Sequence, residues 1–376
     1  MSNKTEYNNI TAFHPGYYIA EIIEDMAITQ AEFAIRMGTT PKTLSQLVNG
    51  QTGITNDLAK KLSVMTGMSV EVWQNLQNTY DRKCIEIEQK KDFAEQGEIA
   101  KQIDYRYFVD YLGLPETRST EDRILNLCRY LRVSDLRTMK SPDYLVNFRR
   151  SSSADSQRNL INSKIWIQTA LNMAESIETK PYDESVLKGH LNELRGMTVQ
   201  SPDCFVPRMQ EIMADSGIAF VILPYLKNSG VNGAVKWARK DKAVLAINNR
   251  GMDADRFWFS LFHEIKHVLQ RKVTALFLHG SAEEMMETNE KLEKEADKFA
   301  SDLLISPTSY KKFAPTKYTS DKEIREFAES IGIHPGIVAG RMQHDLILTP
   351  SRCSKFKEKY IIEINRLNRA ETERQS

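Results

Sequence analysis

His263-Glu264-Ile265-Lys266-His267 places two imidazoles four residues apart with a carboxylate between them. On a helix, positions i and i+4 share a face, so both rings reach one metal ion. The glutamate then lies beside a water on that ion, where it can act as general base. The residues before the motif, Phe257-Trp258-Phe259-Ser260-Leu261-Phe262, are apolar at helical spacing. A competing reading makes both histidines ordinary members of an amphipathic helix, so a third ligand decides. A catalytic zinc takes three protein ligands and keeps one position for water. His267 is not followed by Gly and His at metzincin offsets, which excludes that class. The next helical run, 289–305, offers Glu293 and Glu295 beside an apolar stripe of Leu292, Ala296, Phe299, Ala300, Leu303 and Leu304. At about 100° per residue, Glu293 lies roughly 60° from the stripe centre and Glu295 roughly 100° away on the other flank. Glu293 is the expected third ligand and Glu295 the alternative. Asp297 shares a face with Glu293 and can orient a ligating histidine. His279, in the connecting segment, is a weaker candidate, since a lone loop histidine is ordinarily solvated.

A second pattern lies near the start. Thr29 is an expected helix cap, with Glu32 three residues on completing a capping box. Phe33, Ala34 and Met37 form the buried stripe, and Gly38 ends that helix. Thr40-Pro41 opens the next one, with Leu44, Leu47 and Val48 facing inward and Asn49-Gly50 at its end. Two short helices, 29–37 and 40–48, thus have helix-turn-helix spacing. In such a motif the second helix enters the major groove. Thr40, Lys42, Thr43, Gln46 and Asn49 are its candidate DNA-facing residues. Gln and Asn read adenine edges, and Lys reads guanine or phosphate. Gln30, at a helix N-terminus, suits a phosphate. Residues 1–83 hold seven Lys and Arg against eight Asp and Glu, not the basic footprint of a strong solitary DNA binder. A helical bundle used for protein contact is the competing reading. If DNA is bound, a homodimer on a palindromic operator would double the phosphate contacts.

The elements that position these residues fall into four stretches. Residues 1–82 are read as a five-helix domain, 83–200 as a helical linker or cover region, 201–350 as an α+β domain, and 351–376 as a helical tail. In the middle stretch, Tyr105–Leu112, Arg123–Leu131 and Asn159–Ile177 show helical apolar spacing. From 201 onward a helix is followed by three short β-prone runs, 218–222, 233–237 and 243–247, and then by the two strong helices that carry the metal motif. Phe356, Tyr360, Ile364 and Leu367 suggest one face of a tail helix. The expected class is multi-domain and mainly α. With 376 residues and a net charge of +1, nothing global points to nucleic acid or membrane. No apolar run approaches the ~18 residues of a spanning helix, and no signal-like segment opens the chain. Cys84, Cys128, Cys204 and Cys353 are far apart and form no CxxC, which argues against a disulfide scaffold. They suit a reducing cytoplasm, each as a small buried hydrophobe.

The FWFSLF-HExxH helix, the Glu293-x-x-Ala296-Asp297-x-Phe299-Ala300-x-x-Leu303-Leu304-x-x-Pro307 segment and Ile333-His334-Pro335-Gly336-Ile337-Val338 together resemble the ImmA/IrrE family of metallopeptidases over roughly 201–350. That resemblance implies a minimal zincin-like α+β domain, a Zn2+ held by His263, His267 and Glu293, and cleavage of a protein substrate, often a transcriptional repressor. One departure stands out: Lys266 occupies the position before the second histidine, where the family usually has Gly, and a bulky cation there could narrow the cleft. Residues 12–80 resemble phage-repressor-like helix-turn-helix domains, and more closely HigA-type antitoxins, through His14-Pro15-Gly16 and Gln30-Ala31-Glu32-Phe33-Ala34. The joint expectation is a cytoplasmic DNA-binding regulator, antitoxin-like, with a fused zinc endopeptidase and a toxin, repressor or other protein partner. The alternative is a non-catalytic regulator whose peptidase-like domain binds a partner or senses a ligand.

Overall fold

The computed structural model describes residues 3–141, 157–248, 253–270, 282–360 and 362. The chain divides into two compact units, Met1–Glu98 and Ile99–Ser376.

The first unit opens with a hairpin that the sequence reading did not anticipate. β1 (Lys4–Tyr7) pairs antiparallel with β2 (Ile10–Phe13), and Tyr7 faces Ile10 across a two-residue turn. Asn8 and Asn9 both take positive φ, 46° and 64°, as a type I′ turn requires. Five helices follow: α1 (Gly16–Asp25), α2 (Gln30–Arg36), α3 (Pro41–Val48), α4 (Asn56–Thr66) and α5 (Val70–Ala100). Their core is built from Ile19, Phe33, Leu44, Leu47, Leu62 and Trp73, all fully buried. Gly38 closes the turn between α2 and α3 at φ 64°, a conformation open to glycine at little cost. The Thr29 hydroxyl accepts from the Glu32 N–H at 3.1 Å. The expected reciprocal half of that capping box does not form: Glu32 pairs instead with Arg36, one turn on.

The second unit is built around a three-stranded mixed sheet. α6 (Tyr105–Leu112), α7 (Thr120–Leu131), α8 (Gln157–Ala174), α9 (Glu184–Gly189), α10 (Leu191–Gly196) and α11 (Pro202–Asp215) precede it. The strands β3 (Ile218–Leu223), β4 (Gly233–Arg239) and β5 (Lys242–Asn248) lie in the order β3-β5-β4, with β3 parallel and β4 antiparallel to β5. β5 is buried along its whole length, as a strand covered on both faces must be. One face, with Ile218, Phe220, Ala243, Leu245 and Ile247, joins the core of α11 and α12 (Ala254–Leu269). Alternation turns Ala219, Val221, Val244 and Ala246 to the other face, where α8 packs. The buried ammonium of Lys242 caps the far end of α8 by donating to Ala174 O at 2.9 Å and Ile177 O at 2.6 Å. The helical stretch from 99 onward is therefore part of the unit that holds the HExxH helix.

Beyond α12 come α13 (Ala282–Leu304), α14 (Pro307–Phe313), α15 (Asp321–Ser330), α16 (Pro335–His344) and α17 (Pro350–Cys353). A tail helix starting at Phe356 does not form over the described residues. Lys357–Tyr360 is extended, Asp253 bridges Lys359, and Ala254 N–H donates to Glu358 O at 2.9 Å. Phe356 and Tyr360 are buried as expected, because they close the core above α12 rather than line a helix face. Ile364, Leu367 and His279 lie outside the described residues. The four cysteines are free, but only Cys128 and Cys353 are buried; Cys84 is half-buried and Cys204 exposed. Among the described residues, no helix is long and apolar enough to cross a membrane.

Candidate functional site

α12 is amphipathic. Phe257, Trp258, Leu261, Phe262, Ile265 and Val268 are buried, and Trp258 anchors the helix by donating to the Tyr360 hydroxyl at 2.9 Å. His263 and Glu264 are buried as well, at 2% and 5% exposure, which for polar side chains demands specific partners. α13 packs alongside α12 and supplies those of His263. Glu293 reaches both imidazoles, 3.2 Å from His263 Nε2 and 3.3 Å from His267 Nε2. The two Nε2 atoms are 3.0 Å apart. Glu295 does not share in this cluster; it accepts from Gln270 Nε2 at 3.2 Å.

The backs of both rings are held. His263 Nδ1 donates to Asp297 Oδ1 at 2.9 Å, and His267 Nδ1 donates to Gln270 Oε1 at 3.0 Å. Those bonds put the ring protons on Nδ1 and turn both Nε2 lone pairs toward the Glu293 carboxylate. Two nitrogen lone pairs and a carboxylate converging at this range suit a cation between them. The ligand atoms of His263, His267 and Glu293 all lie within 4.8 Å of one another, and two nitrogens with one oxygen is a common zinc donor set.

Glu264 sits against the first residue of β4. A Cβ on Gly233 would come within 2.7 Å of the Glu264 carboxylate, so glycine is what lets the strand approach. The loop leading into Gly233 is fixed from the far layer. Tyr107 Oη and Trp166 Nε1 both donate to Pro224 O, at 3.2 and 3.1 Å, and Ser163 Oγ donates to Ser229 O. Lys266 holds its ammonium over the Phe299 ring, 5.8 Å from the centroid. His334 is not one of the cluster's three residues. Its Nδ1 accepts from Gly336 N–H at 3.0 Å and its Nε2 lies 2.9 Å from Glu358.

In the first unit, Gln30, Lys42, Gln46 and Asn49 are exposed and Thr43 is half-buried. Thr40 already serves α3 as its cap, accepting from Thr43 N–H at 3.1 Å. The Asn49 amide donates to Ser45 O at 2.8 Å. Lys42 and Gln46 thus remain the side chains best placed to leave the helix surface.

Comparison with known proteins agrees with both ends of the chain. A family model described as Helix-turn-helix matches residues 19–73, and one described as IrrE N-terminal-like domain matches 215–343. The uncharacterized HTH-type transcriptional regulator YddM of Escherichia coli (strain K12) is 39% identical over 66 residues, covering 18% of this chain and 70% of that protein. The chain belongs to the helix-turn-helix regulators. Virulence-associated protein I of Dichelobacter nodosus is 31% identical over 87 residues, 23% of this chain and 81% of that one. An addiction module antidote protein of a HigA family from Coxiella burnetii is 27% identical, with a TM-score of 0.21, over 22% of this chain and 92% of that one.

Within this helix-turn-helix regulator, sequence reasoning missed Gln270, Gly233 and the trio Tyr107, Ser163 and Trp166. Gln270 carried a usable signal, since it stands three residues after His267 and thus one turn on along the same helix face. Gly233 carried none, because a close backbone approach is visible only in three dimensions.

Proposed function

We propose that the protein is a DNA-binding transcriptional regulator with a fused zinc-dependent endopeptidase. The observation that carries the enzymatic half is the convergence of His263, His267 and Glu293, with each imidazole oriented by a partner behind it. These three residues would hold the zinc. When bound, the ion supplies Lewis acidity to a scissile carbonyl and lowers the pKa of a water to about 7. Glu264 takes a proton from the attacking water and passes it to the leaving amine nitrogen. Its burial at 5% exposure keeps that carboxylate from solvating freely, and the glycine at 233 leaves the space it needs. Asp297 and Gln270 keep both Nε2 lone pairs turned inward. Gly233 starts β4, an edge strand beside the site, whose open backbone groups can pair with an extended peptide.

The regulatory half rests on the helix-turn-helix fold and on Gln30, Lys42 and Gln46 at its surface. A protein partner, either a toxin or a cleaved repressor, fits both halves. The test is cleavage of candidate protein substrates by the zinc-loaded protein and by Glu264→Gln. Cleavage by the parent that disappears in the variant supports the assignment. Equal cleavage by both would remove Glu264 as the base.

A further inference from the structure

A cavity of about 1000 Å³ opens on the same face of α12 as the metal cluster, one turn toward the start of the helix. It shares a wall with the cluster, because Asp297 lines it and also holds His263 Nδ1. Its apolar walls are Ile247, Phe259, Leu304 and Ile337. Most charges around it are matched at short range. Lys298 pairs with Asp302, Arg341 with Asp345 at 2.9 Å, and Asp255 lies 3.8 Å from Lys357. Arg256 lines the cavity too; its backbone N–H and its charge act on the neighbouring Asp255 carboxylate, and its guanidinium is not hydrogen-bonded to a described carboxylate. The cavity therefore offers a large apolar volume with a guanidinium at its edge whose acidic neighbour, Asp255, is shared with Lys357.

We propose that this cavity is the specificity pocket for the peptide substrate, taking a large apolar side chain next to the scissile bond and an acidic one at Arg256. The inference rests on the endopeptidase reading and names the substrate class for it. Spacing follows from helix geometry. Arg256 precedes His263 by seven residues on α12, about 10 Å at ~1.5 Å per residue. An extended peptide advances ~3.3 Å per residue, so the acidic side chain stands about three residues from the cleaved bond. The apolar side chain falls between the two, where Phe259 and Ile337 line the wall. Guanidinium favours a carboxylate here because it can bind both oxygens at once.

The test uses the full-length, zinc-loaded protein and short synthetic peptides randomised one position at a time, with cleavage sites read by mass spectrometry. The expected result is a preference for large apolar residues beside the bond and for Asp or Glu about three positions away on the same side. Arg256→Glu should invert the second preference toward Lys or Arg, changing the acidic-to-basic ratio of kcat/KM by about tenfold or more at unchanged zinc content. Arg256→Gln should lose the acidic preference without gaining a basic one. Cleavage with the same preferences in parent and Arg256→Glu overturns the pocket while leaving the endopeptidase reading intact. No cleavage of any peptide by zinc-loaded parent overturns that reading and the pocket with it. Fluorescence anisotropy of an acidic peptide on Glu264→Gln gives a readout independent of turnover. Ser260→Phe, which fills the cavity, should weaken binding there, and undiminished binding counts against the proposal.

Discussion

Glu293 and Glu295 flank the apolar stripe of α13 on opposite sides, and only one can face α12. The structure turns Glu293 to both imidazoles and gives Glu295 to Gln270. Wheel geometry could tell the two apart in the sequence because the stripe between them packs on α12. The partners of the histidines behave differently. Asp297 was legible from its i+4 relation to Glu293, whereas Gln270 went unread although its i+3 relation to His267 placed it on the same helix face. Asp297→Asn keeps the shape of the acceptor but weakens its pull on the Nδ1 proton. Zinc affinity should fall by roughly 10–100-fold, measured by competition with a chromophoric chelator. Lys266 yields the opposite expectation. Its ammonium lies over Phe299 and it is not among the three cluster residues, so Lys266→Gly should leave zinc stoichiometry unchanged. A loss of metal in that variant would show that the lysine supports the site from its own side of the helix.

At the scale of elements, helices and strands with strong periodicity were legible and local turns were not. α12, α13 and all three strands of the second unit appear where apolar spacing puts them. The N-terminal hairpin was missed because its signal is Asn8-Asn9, two residues that must both adopt positive φ, inside a short polar stretch. The tail was misread because Phe356 and Tyr360 have helical spacing but are buried by an extended strap. His14-Pro15-Gly16 and His334-Pro335-Gly336 form one recurring device: in each, a histidine Nδ1 accepts the N–H of the glycine that follows the proline, at 2.9 and 3.0 Å. That bond needs an unprotonated Nδ1. Burial lowers the pKa of His14; Asp81 and the Thr52 backbone pull it the other way without reversing the shift. The unfolded chain binds the proton near pH 6.5 and the folded one only below that. His14 therefore contributes its full stability above about pH 6.5, and the contribution declines as pH falls below that value. Hydrogen exchange of the α1 amides should accelerate between pH 7.5 and 5.5, after correction for intrinsic rates. His14→Asn, which keeps an acceptor but cannot titrate, should flatten that dependence.

At the scale of the molecule, the chain joins a nearly neutral helix-turn-helix unit to a unit in which His263, His267 and Glu293 converge. The even charge of residues 1–83 limits how many phosphates one copy can neutralise. Operator affinity should be modest and fall steeply between low and physiological salt, with a slope set by the few lysines and arginines engaged. Gln46→Ala should cost about 1–3 kcal/mol at one base position while leaving non-specific binding unchanged, as read in a gel shift against operator and scrambled DNA. An equal loss on both DNAs would make Gln46 a backbone contact. The enzymatic half depends on one property that metal analysis reads directly. Full-length protein purified without chelators and loaded with zinc should retain a stoichiometric equivalent after dialysis. Glu264→Gln should retain it as well, and His263→Ala and Glu293→Ala should lose it. Zinc absent from the parent, or held equally by all four proteins, would contradict the assignment of His263, His267 and Glu293 as its ligands.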